Sequence, residues 1–260
     1  MFVRQCCVPA HGEPVEAQTT LFLKFVFDLF HRRCTDLKHA KLFVLLAGIL
    51  AVLAAGCMGN TGVPDLFQAA GGGNMENLKK LIEQHPEKIH EKDKNGMTPL
   101  ALAAANGKLD IVNLLLEKKS DIHSRSKDGW TPILLATEGG HTEVVAALLE
   151  RGAEKNDALP NGWTSLHLAA DNGTSDTLRL LIGAKANVNA QTGPGSSPEG
   201  ATPLFFAAKH GYVEIAKMLI EAGAEVNLAN SHGKTPMNAA EKHGVKEMID
   251  LLKTHGGKAL

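Results

Sequence analysis

The segment that decides the fold reads Thr98-Pro99-Leu100-Ala101-Leu102-Ala103. Its pattern returns four times, after 33, 33, 38 and 33 residues, beginning at Thr131, Thr164, Thr202 and Thr235. Asp65 begins a looser copy 33 residues before Thr98. A glycine that follows each full copy keeps the same spacing, at Gly107, Gly140, Gly173, Gly211 and Gly244. This regularity indicates an internal repeat that runs to the end of the chain.

Each repeat unit has the signals of two short helices. Thr98 can cap a helix, and Pro99 then occupies the first helical position, where no N–H group is needed. The glycine after the motif ends this inner helix in a tight turn. Apolar residues with helical spacing follow, for example Ile111, Val112 and Leu115, and predict an outer helix that buries one face. Such a unit is too thin to fold alone, so its stability must come from stacking on its neighbours.

The motif and its period resemble the ankyrin repeat. The signature of that family, Gly-x-Thr-Pro-Leu-His-x-Ala, is found at residues 162–169, with Ser165 in place of the proline. The resemblance covers residues 62–260 and implies an all-α solenoid of stacked helix-turn-helix units with projecting β-turn fingers. We expect six units, near residues 62–94, 95–127, 128–160, 161–198, 199–231 and 232–260. The resemblance also implies a concave groove that binds other proteins.

Two lysines stand at the ends of outer helices where the third, fifth and sixth units have Gly152, Gly223 and Gly256. They are Lys119 and Lys185. If the backbone there is left-handed, each lysine costs up to about 1 kcal/mol relative to glycine. The last unit also departs from the others, because polar Glu241 replaces the small residue found at Ala104 or Ala208. This substitution is typical of a capping unit at the end of a stack.

An apolar segment precedes the repeats. Residues 42–55 carry no charge and follow Lys38 and Lys41, a pattern typical of a secretory signal. The sequence Leu53-Ala54-Ala55-Gly56-Cys57 resembles the lipobox of bacterial lipoproteins, which implies that Cys57 is lipidated. We therefore interpret residues 37–57 as a lipoprotein-type signal and residues 58–61 as a short linker. An uncleaved anchor and a buried core helix are the alternatives for this segment.

Two further expectations follow from the lipoprotein interpretation. A leader that begins at Met1 is too long for a signal, so residues 1–36 are interpreted as an extension that precedes the true start near Leu37. Met58 stands after the cysteine, where an Asp would favour retention at the inner membrane. By resemblance, we expect a lipid-anchored protein of the bacterial cell envelope, on the periplasmic side of the outer membrane rather than at the inner membrane.

Composition and motifs argue against an enzyme. The formal net charge is −1, without the cationic excess of a nucleic-acid-binding protein. All four cysteines lie within the first 57 residues, so the repeats contain no cysteine for zinc or nucleophilic attack. No glycine-rich phosphate loop is present. His141, His167, His210 and His243 fall in separate units, about 10 Å apart if the units stack, too far to share one metal. We expect no catalysis, no cofactor and no metal.

The positions that face the expected groove are candidates for partner binding. One set directly precedes the Thr-Pro motif and includes Met97, Trp130 and Trp163. The second set ends the inner helices and comprises Glu138, Asp171, Asn172, Lys209 and His210. The groove should therefore change from acidic in the middle to basic toward the C-terminus. Trp130 and Trp163 should lie side by side, either as a binding pair or as covers for the neighbouring turn.

The sequence thus favours a membrane-anchored, monomeric ankyrin-repeat adaptor that binds a protein or peptide in its groove. The unit between residues 161 and 198 is five residues longer than the others. The excess lies in loop 191–200, which consists of turn-forming residues. An alternative interpretation is a small-ligand-binding protein or enzyme that uses this loop as a lid. A passive spacer is a third.

Overall fold

Twelve short α-helices account for most of residues 65–259, the part of the chain that the computed structural model describes. They form consecutive pairs: α1 (Leu66–Gly72) with α2 (Met75–Gln84), α3 (Pro99–Ala105) with α4 (Leu109–Glu117), α5 (Pro132–Glu138) with α6 (Thr142–Glu150), α7 (Ser165–Asn172) with α8 (Ser175–Gly183), α9 (Pro203–His210) with α10 (Val213–Glu221), and α11 (Pro236–His243) with α12 (Lys246–Thr254). A 3-10 helix, Pro86–His90, follows α2. Within these residues the only strand-like pairing is an isolated antiparallel bridge between Ala158 and Thr164. The all-α repeat fold expected from the sequence is confirmed.

The helices pack in two layers. Each odd-numbered (inner) helix contacts the next odd-numbered helix and its own even-numbered (outer) partner, and the outer helices from α4 onward contact one another in order. Small side chains allow the inner helices to approach closely, since Ala103, Ala136 and Ala207 are fully buried. Each outer helix buries one stripe at helical spacing, such as Val145 and Leu148 of α6. The core is therefore a continuous seam between neighbouring pairs, as in other repeat proteins.

Three helix starts, at Thr98, Thr202 and Thr235, have the side-chain cap expected from the sequence, whereas Thr131 makes no such bond. The N–H of Ala101 donates to Thr98 Oγ1 at 3.2 Å, and Pro99 occupies the first turn of α3. In α11 the cap is reciprocal, because Thr235 Oγ1 accepts from the N–H of Asn238 and the Asn238 side chain accepts from the N–H of Thr235. Hydrogen bonds of this kind satisfy N–H groups that have no partner inside the helix.

Two of the turn glycines lie directly against a ring from the next pair. Gly173 ends α7 with φ +76°, and a Cβ atom there would lie 2.9 Å from the ring of Tyr212. Gly107 has φ +65°, and a Cβ atom there would lie 2.5 Å from the ring of His141. Glycine is therefore required at these positions for two reasons: the backbone is left-handed, and a side-chain ring approaches too closely for a Cβ atom.

The turns between pairs, called fingers here, are tied to one another. Lys92 Nζ donates to the carbonyl of Arg125, and Arg125 in turn donates to the carbonyl of Ala158. A second row uses asparagines, whose Oδ1 atoms each accept from a backbone N–H of the following unit at 2.8 Å: Asn156 from Asn187, Asn189 from Glu225, and Asn227 from Lys258. These repeated bonds hold the fingers in register from one pair to the next.

The lysines that replace glycine do adopt the left-handed backbone, with φ +65° at Lys119 and +60° at Lys185. Glu241 of the last inner helix is exposed, whereas its equivalents Ala104 and Ala208 are fully buried. That contrast places Glu241 on the open end of the stack rather than between two pairs.

The N-terminal expectations lie outside the described residues. They concern the extension 1–36, the signal 37–57 with Cys57, and the linker 58–61. Within residues 65–259, no helix combines the length and apolar character needed to cross a bilayer.

Candidate interaction surface

One face of the inner-helix layer runs from the base of the fingers to the C-terminal ends of the helices. The Trp163 ring, at a finger base, lies 4.6 Å from the Phe206 ring of α9, centroid to centroid. Lys209 Nζ lies 5.8 Å from the centroid of the same Phe206 ring. Phe206 and Lys209 are one helical turn apart, so they share a face. We call this surface, with the equivalent positions of the other pairs, the inner-helix face.

Hydrogen bonds fix the finger residues that border this face. The N–H of Asp93 donates to the carbonyl of Met97, and Asp93 Oδ1 accepts from the Met97 N–H at 2.8 Å. In the next pair the N–H of Ser126 donates to the carbonyl of Trp130, and Ser126 Oγ accepts from the Trp130 N–H. Met97 and Trp130, the last residues of these two fingers, are therefore held in place by a hydrogen-bonded loop.

Partly exposed apolar side chains gather at the N-terminal half of the inner-helix face. Met97 and Trp130 are partly exposed, and so are Leu102 and Leu135, five residues further along their pairs. In the following pairs Trp163 and Phe206, which are equivalent to Trp130 and Leu135, are covered: Trp163 is only 7% exposed and Phe206 is fully buried. Trp163 contacts the rings of His167 and Phe206, and Trp130 is not among its ring contacts. The two tryptophans thus occupy different environments.

Polar side chains at the helix ends pair across the gap between neighbouring inner helices. Asn172 Nδ2 of α7 donates to the Glu138 carboxylate of α5 at 3.2 Å. His210 Nε2 of α9 lies 2.6 Å from Asp171 Oδ1 of α7, whose side chain is 4% exposed. These two bonds bring together four predicted binding residues, since Glu138 and Asp171 hold Asn172 and His210 in place. The contact of any of them with a partner stays a prediction.

Tyr212 packs against this cluster. It is not among the binding positions that the repeat register predicts. Its ring stacks on His210, with the ring centroids 5.5 Å apart and the planes at 24°. It is 36% exposed and packs over Gly173 of the preceding pair. The signal in the sequence is the aromatic residue directly after the turn glycine Gly211, where His141 holds the equivalent position.

His167 is a structural residue. It is fully buried, its Nδ1 accepts from the N–H of Thr164 at 3.1 Å, and its Nε2 donates to the carbonyl of Ala201 at 3.0 Å. Burial lowers its pKa from 6.5 to about 4, against the opposing effect of hydrogen bonds to the backbone carbonyls of Ala201 and Ala190. The imidazole is therefore neutral at pH 7 and joins α7 to the following finger.

Loop 191–200 is tied internally and to both neighbouring fingers. Thr192 Oγ1 donates to the carbonyl of Pro198 at 2.7 Å. The N–H of Gly193 donates to Asn161 on one side, and the carbonyl of Glu199 accepts from the N–H of Ser231 on the other. Among the described residues, no group of three His, Cys, Asp or Glu side chains could hold a metal ion.

Comparison with known proteins agrees with this geometry. The family described as "Ankyrin repeats (3 copies)" matches residues 47–126, 66–159, 118–192 and 166–259. The chain is 37% identical over 57 residues to Ankyrin repeat and SAM domain-containing protein 6 of Danio rerio, which covers 22% of this chain and 8% of that protein. The corresponding protein of Rattus norvegicus is 40% identical over 55 residues (21% and 6%). Alpha-latrocrustotoxin-Lt1a of Latrodectus tredecimguttatus is 40% identical over 57 residues (22% and 4%).

The matched segment spans at most 8% of the length of these relatives. The family matches, by contrast, overlap one another and together cover most of this chain without a gap. The chain therefore belongs to the ankyrin-repeat family, whose repeats form a protein–protein interaction module.

Proposed function

We propose that this chain is a monomeric, membrane-anchored adaptor of six ankyrin repeats, which binds a protein or peptide on its inner-helix face and catalyses no reaction. The observation that carries the proposal is the set of apolar side chains left partly exposed at equivalent positions of neighbouring pairs: Met97, Leu102, Trp130 and Leu135. Methionine and tryptophan are enriched in protein interfaces, and tryptophan is enriched among the residues that contribute most to binding.

The way these residues are held supports a binding role. Trp130 is fixed at its backbone by Ser126 and at its finger by the inter-finger bonds that join Lys92, Arg125 and Ala158. A surface that is ordered before the partner arrives loses less conformational entropy on binding. The neighbouring pairs hold these residues in place, because each finger is hydrogen-bonded to the next.

The titratable groups of the face support recognition rather than catalysis. Asp171 and His210 bond to each other, and the Glu138 carboxylate accepts from Asn172. His167 is closed off in the core. Loop 191–200 is bonded to the fingers on both sides, an arrangement that does not favour a moving lid. A turnover rate or a bound small molecule found with the pure full-length chain would instead favour the alternative of an enzyme or ligand-binding protein.

The partner site can be tested by site-specific crosslinking in the native cell envelope. A photoreactive phenylalanine derivative at Trp130 should yield a discrete crosslinked partner. The same group at Leu180, an exposed apolar residue of outer helix α8, serves as the matched control. Equal crosslinking from both positions, or none from Trp130, would contradict partner binding on the inner-helix face.

Membrane anchoring rests on the apolar run 42–55 and the lipobox-like segment that ends at Cys57. We propose that Cys57 carries the lipid, that residues 37–57 direct export, and that the repeats lie in the bacterial envelope on the periplasmic side of the outer membrane. Multiple acyl chains on one cysteine give stable anchoring, whereas a single chain binds only marginally. Labelled fatty acid should enter the wild-type chain and not Cys57→Ser. Equal labelling of Cys57→Ser would refute lipidation at this residue.

A further inference from the structure

The residue near the C-terminal end of each inner helix changes from negative to positive along the stack, from α5 to α11. Glu138 and Asp171 are equivalent residues of α5 and α7, and each bonds to a residue of the next inner helix. At the next step the equivalent residue of α9 is Lys209. A cation therefore stands where the two preceding helices present a carboxylate.

Three lysines that border the inner-helix face in the last two pairs lack a carboxylate partner within the described residues. They are Lys209 and Lys242, at equivalent positions on α9 and α11, and Lys234, at the base of the finger before α11. The ion pairs of residues 65–259 involve none of them. Lys242 and Lys234 are exposed, and Lys209 is partly exposed with its ammonium above the Phe206 ring.

The acidic residues nearest in sequence do not balance these lysines on the same face. Glu241 is adjacent to Lys242, but its equivalents Ala104 and Ala208 are buried between pairs, so it points to the open end of the stack. Asp171 is nearly buried and is bonded to His210. Within residues 65–259, the C-terminal half of the inner-helix face is thus a cationic surface whose lysines are paired with no carboxylate.

We propose that this surface binds an acidic peptide segment of the partner, with carboxylates about three residues apart. Packed helices lie about 8–10 Å apart, and α9 and α11 are direct neighbours. A peptide in the polyproline II conformation has three residues per turn and advances about 3.1 Å per residue, so carboxylates at positions i and i+3 lie on one face and match the spacing of equivalent residues on neighbouring helices, such as Lys209 and Lys242. This inference rests on the proposed function, since it names the chemistry of the partner that the inner-helix face binds.

The test is selection from an unbiased library. A random twelve-residue peptide library is selected on the full-length chain, and the enriched peptides are measured by fluorescence anisotropy. We expect enrichment of Asp and Glu with a three-residue spacing, and affinity that falls as salt rises. The double variant Lys209→Glu/Lys242→Glu should weaken these peptides at least tenfold. The matched control Lys217→Glu/Lys253→Glu makes the same charge change on exposed positions of α10 and α12 and should stay within twofold.

The possible failures are distinguishable. Enriched peptides that are neutral or basic, or acidic peptides that both double variants weaken equally, would overturn the acidic segment while leaving a binding face in place. If no peptide is enriched, both the inference and the proposed function fail. Circular dichroism shows that each variant is folded, and Lys209→Gln/Lys242→Gln repeats the test without introducing negative charge.

Discussion

His210 Nε2 lies 2.6 Å from Asp171 Oδ1, and this bond links two inner helices, α9 and α7, at the edge of the proposed binding face. The Asp171 side chain is 4% exposed and that of His210 25% exposed. A carboxylate held so far from water depends on its hydrogen-bond partners, His210 among them, because losing one raises the cost of its desolvation. The same bond therefore contributes to the stability of the fold and fixes the relative position of α7 and α9 on the inner-helix face.

We expect His210→Ala to destabilise the fold by about 1–3 kcal/mol, because it leaves the Asp171 carboxylate buried without this partner. Urea unfolding followed by circular dichroism measures the change. The double variant Asp171→Asn/His210→Ala should lose less than the sum of the single variants, since they act on one bond. Strict additivity would show that the bond contributes nothing.

Lys119→Gly should stabilise the fold by about 0.5–1 kcal/mol, because Lys119 has φ +65° and glycine adopts that backbone without strain. Lys185→Gly should behave alike, for its φ is +60°. The control is Lys118→Gly, one residue earlier, where φ is −79° and glycine offers no relief. A gain of the same size at Lys118 would show that the backbone conformation is not the cause.

Gly173→Ala should destabilise the fold by about 2 kcal/mol, since φ is +76° and the new Cβ atom would lie 2.9 Å from the Tyr212 ring. Gly183→Ala is the matched control, because Gly183 is helical, exposed and has open space around it. That control should be neutral or slightly stabilising. Thermal unfolding of both variants decides the matter, and equal effects would argue against the glycine–ring contact.

The buried His167 makes stability depend on pH. Its folded pKa of about 4 lies below the ordinary 6.5, so between these values the unfolded chain binds a proton that the folded chain does not. Stability should therefore fall as pH drops from 6.5 to 4, by up to about 3 kcal/mol for this residue. The comparison is His167→Asn, since Asn238 caps α11 at the equivalent position. If the wild-type chain exceeds this variant in free energy of unfolding by the same amount at pH 6.5 and at pH 4, His167 does not make stability depend on pH.

The two tryptophans should respond differently to truncation. Trp163→Ala removes a ring packed on Phe206 and should cost about 3 kcal/mol of stability. Trp130→Ala should leave the urea midpoint nearly unchanged and weaken capture of the crosslinked partner at least tenfold. A variant of Trp130 that is as unstable as that of Trp163, or that captures the partner normally, would contradict this assignment.

Sequence alone determined the helix pairs, because the signals involved are local. Thr98 caps, Pro99 begins and a turn glycine such as Gly107 ends a helix through the backbone geometry of a few adjacent residues. The same register identified Lys119 and Lys185 as left-handed sites. It also gave the positions that border the inner-helix face, since equivalent residues of stacked units occupy equivalent places along it.

Only the tertiary structure decided how those positions differ from one another. Trp130 and Trp163 are equivalent in sequence, yet Trp163 is covered because the next unit places Phe206 against it. Asp171 and His210 bond to each other across two helices, a pairing set by distance and burial rather than by register alone. Local sequence specifies each unit, whereas exposure and charge depend on the side chains that the neighbouring unit brings into contact.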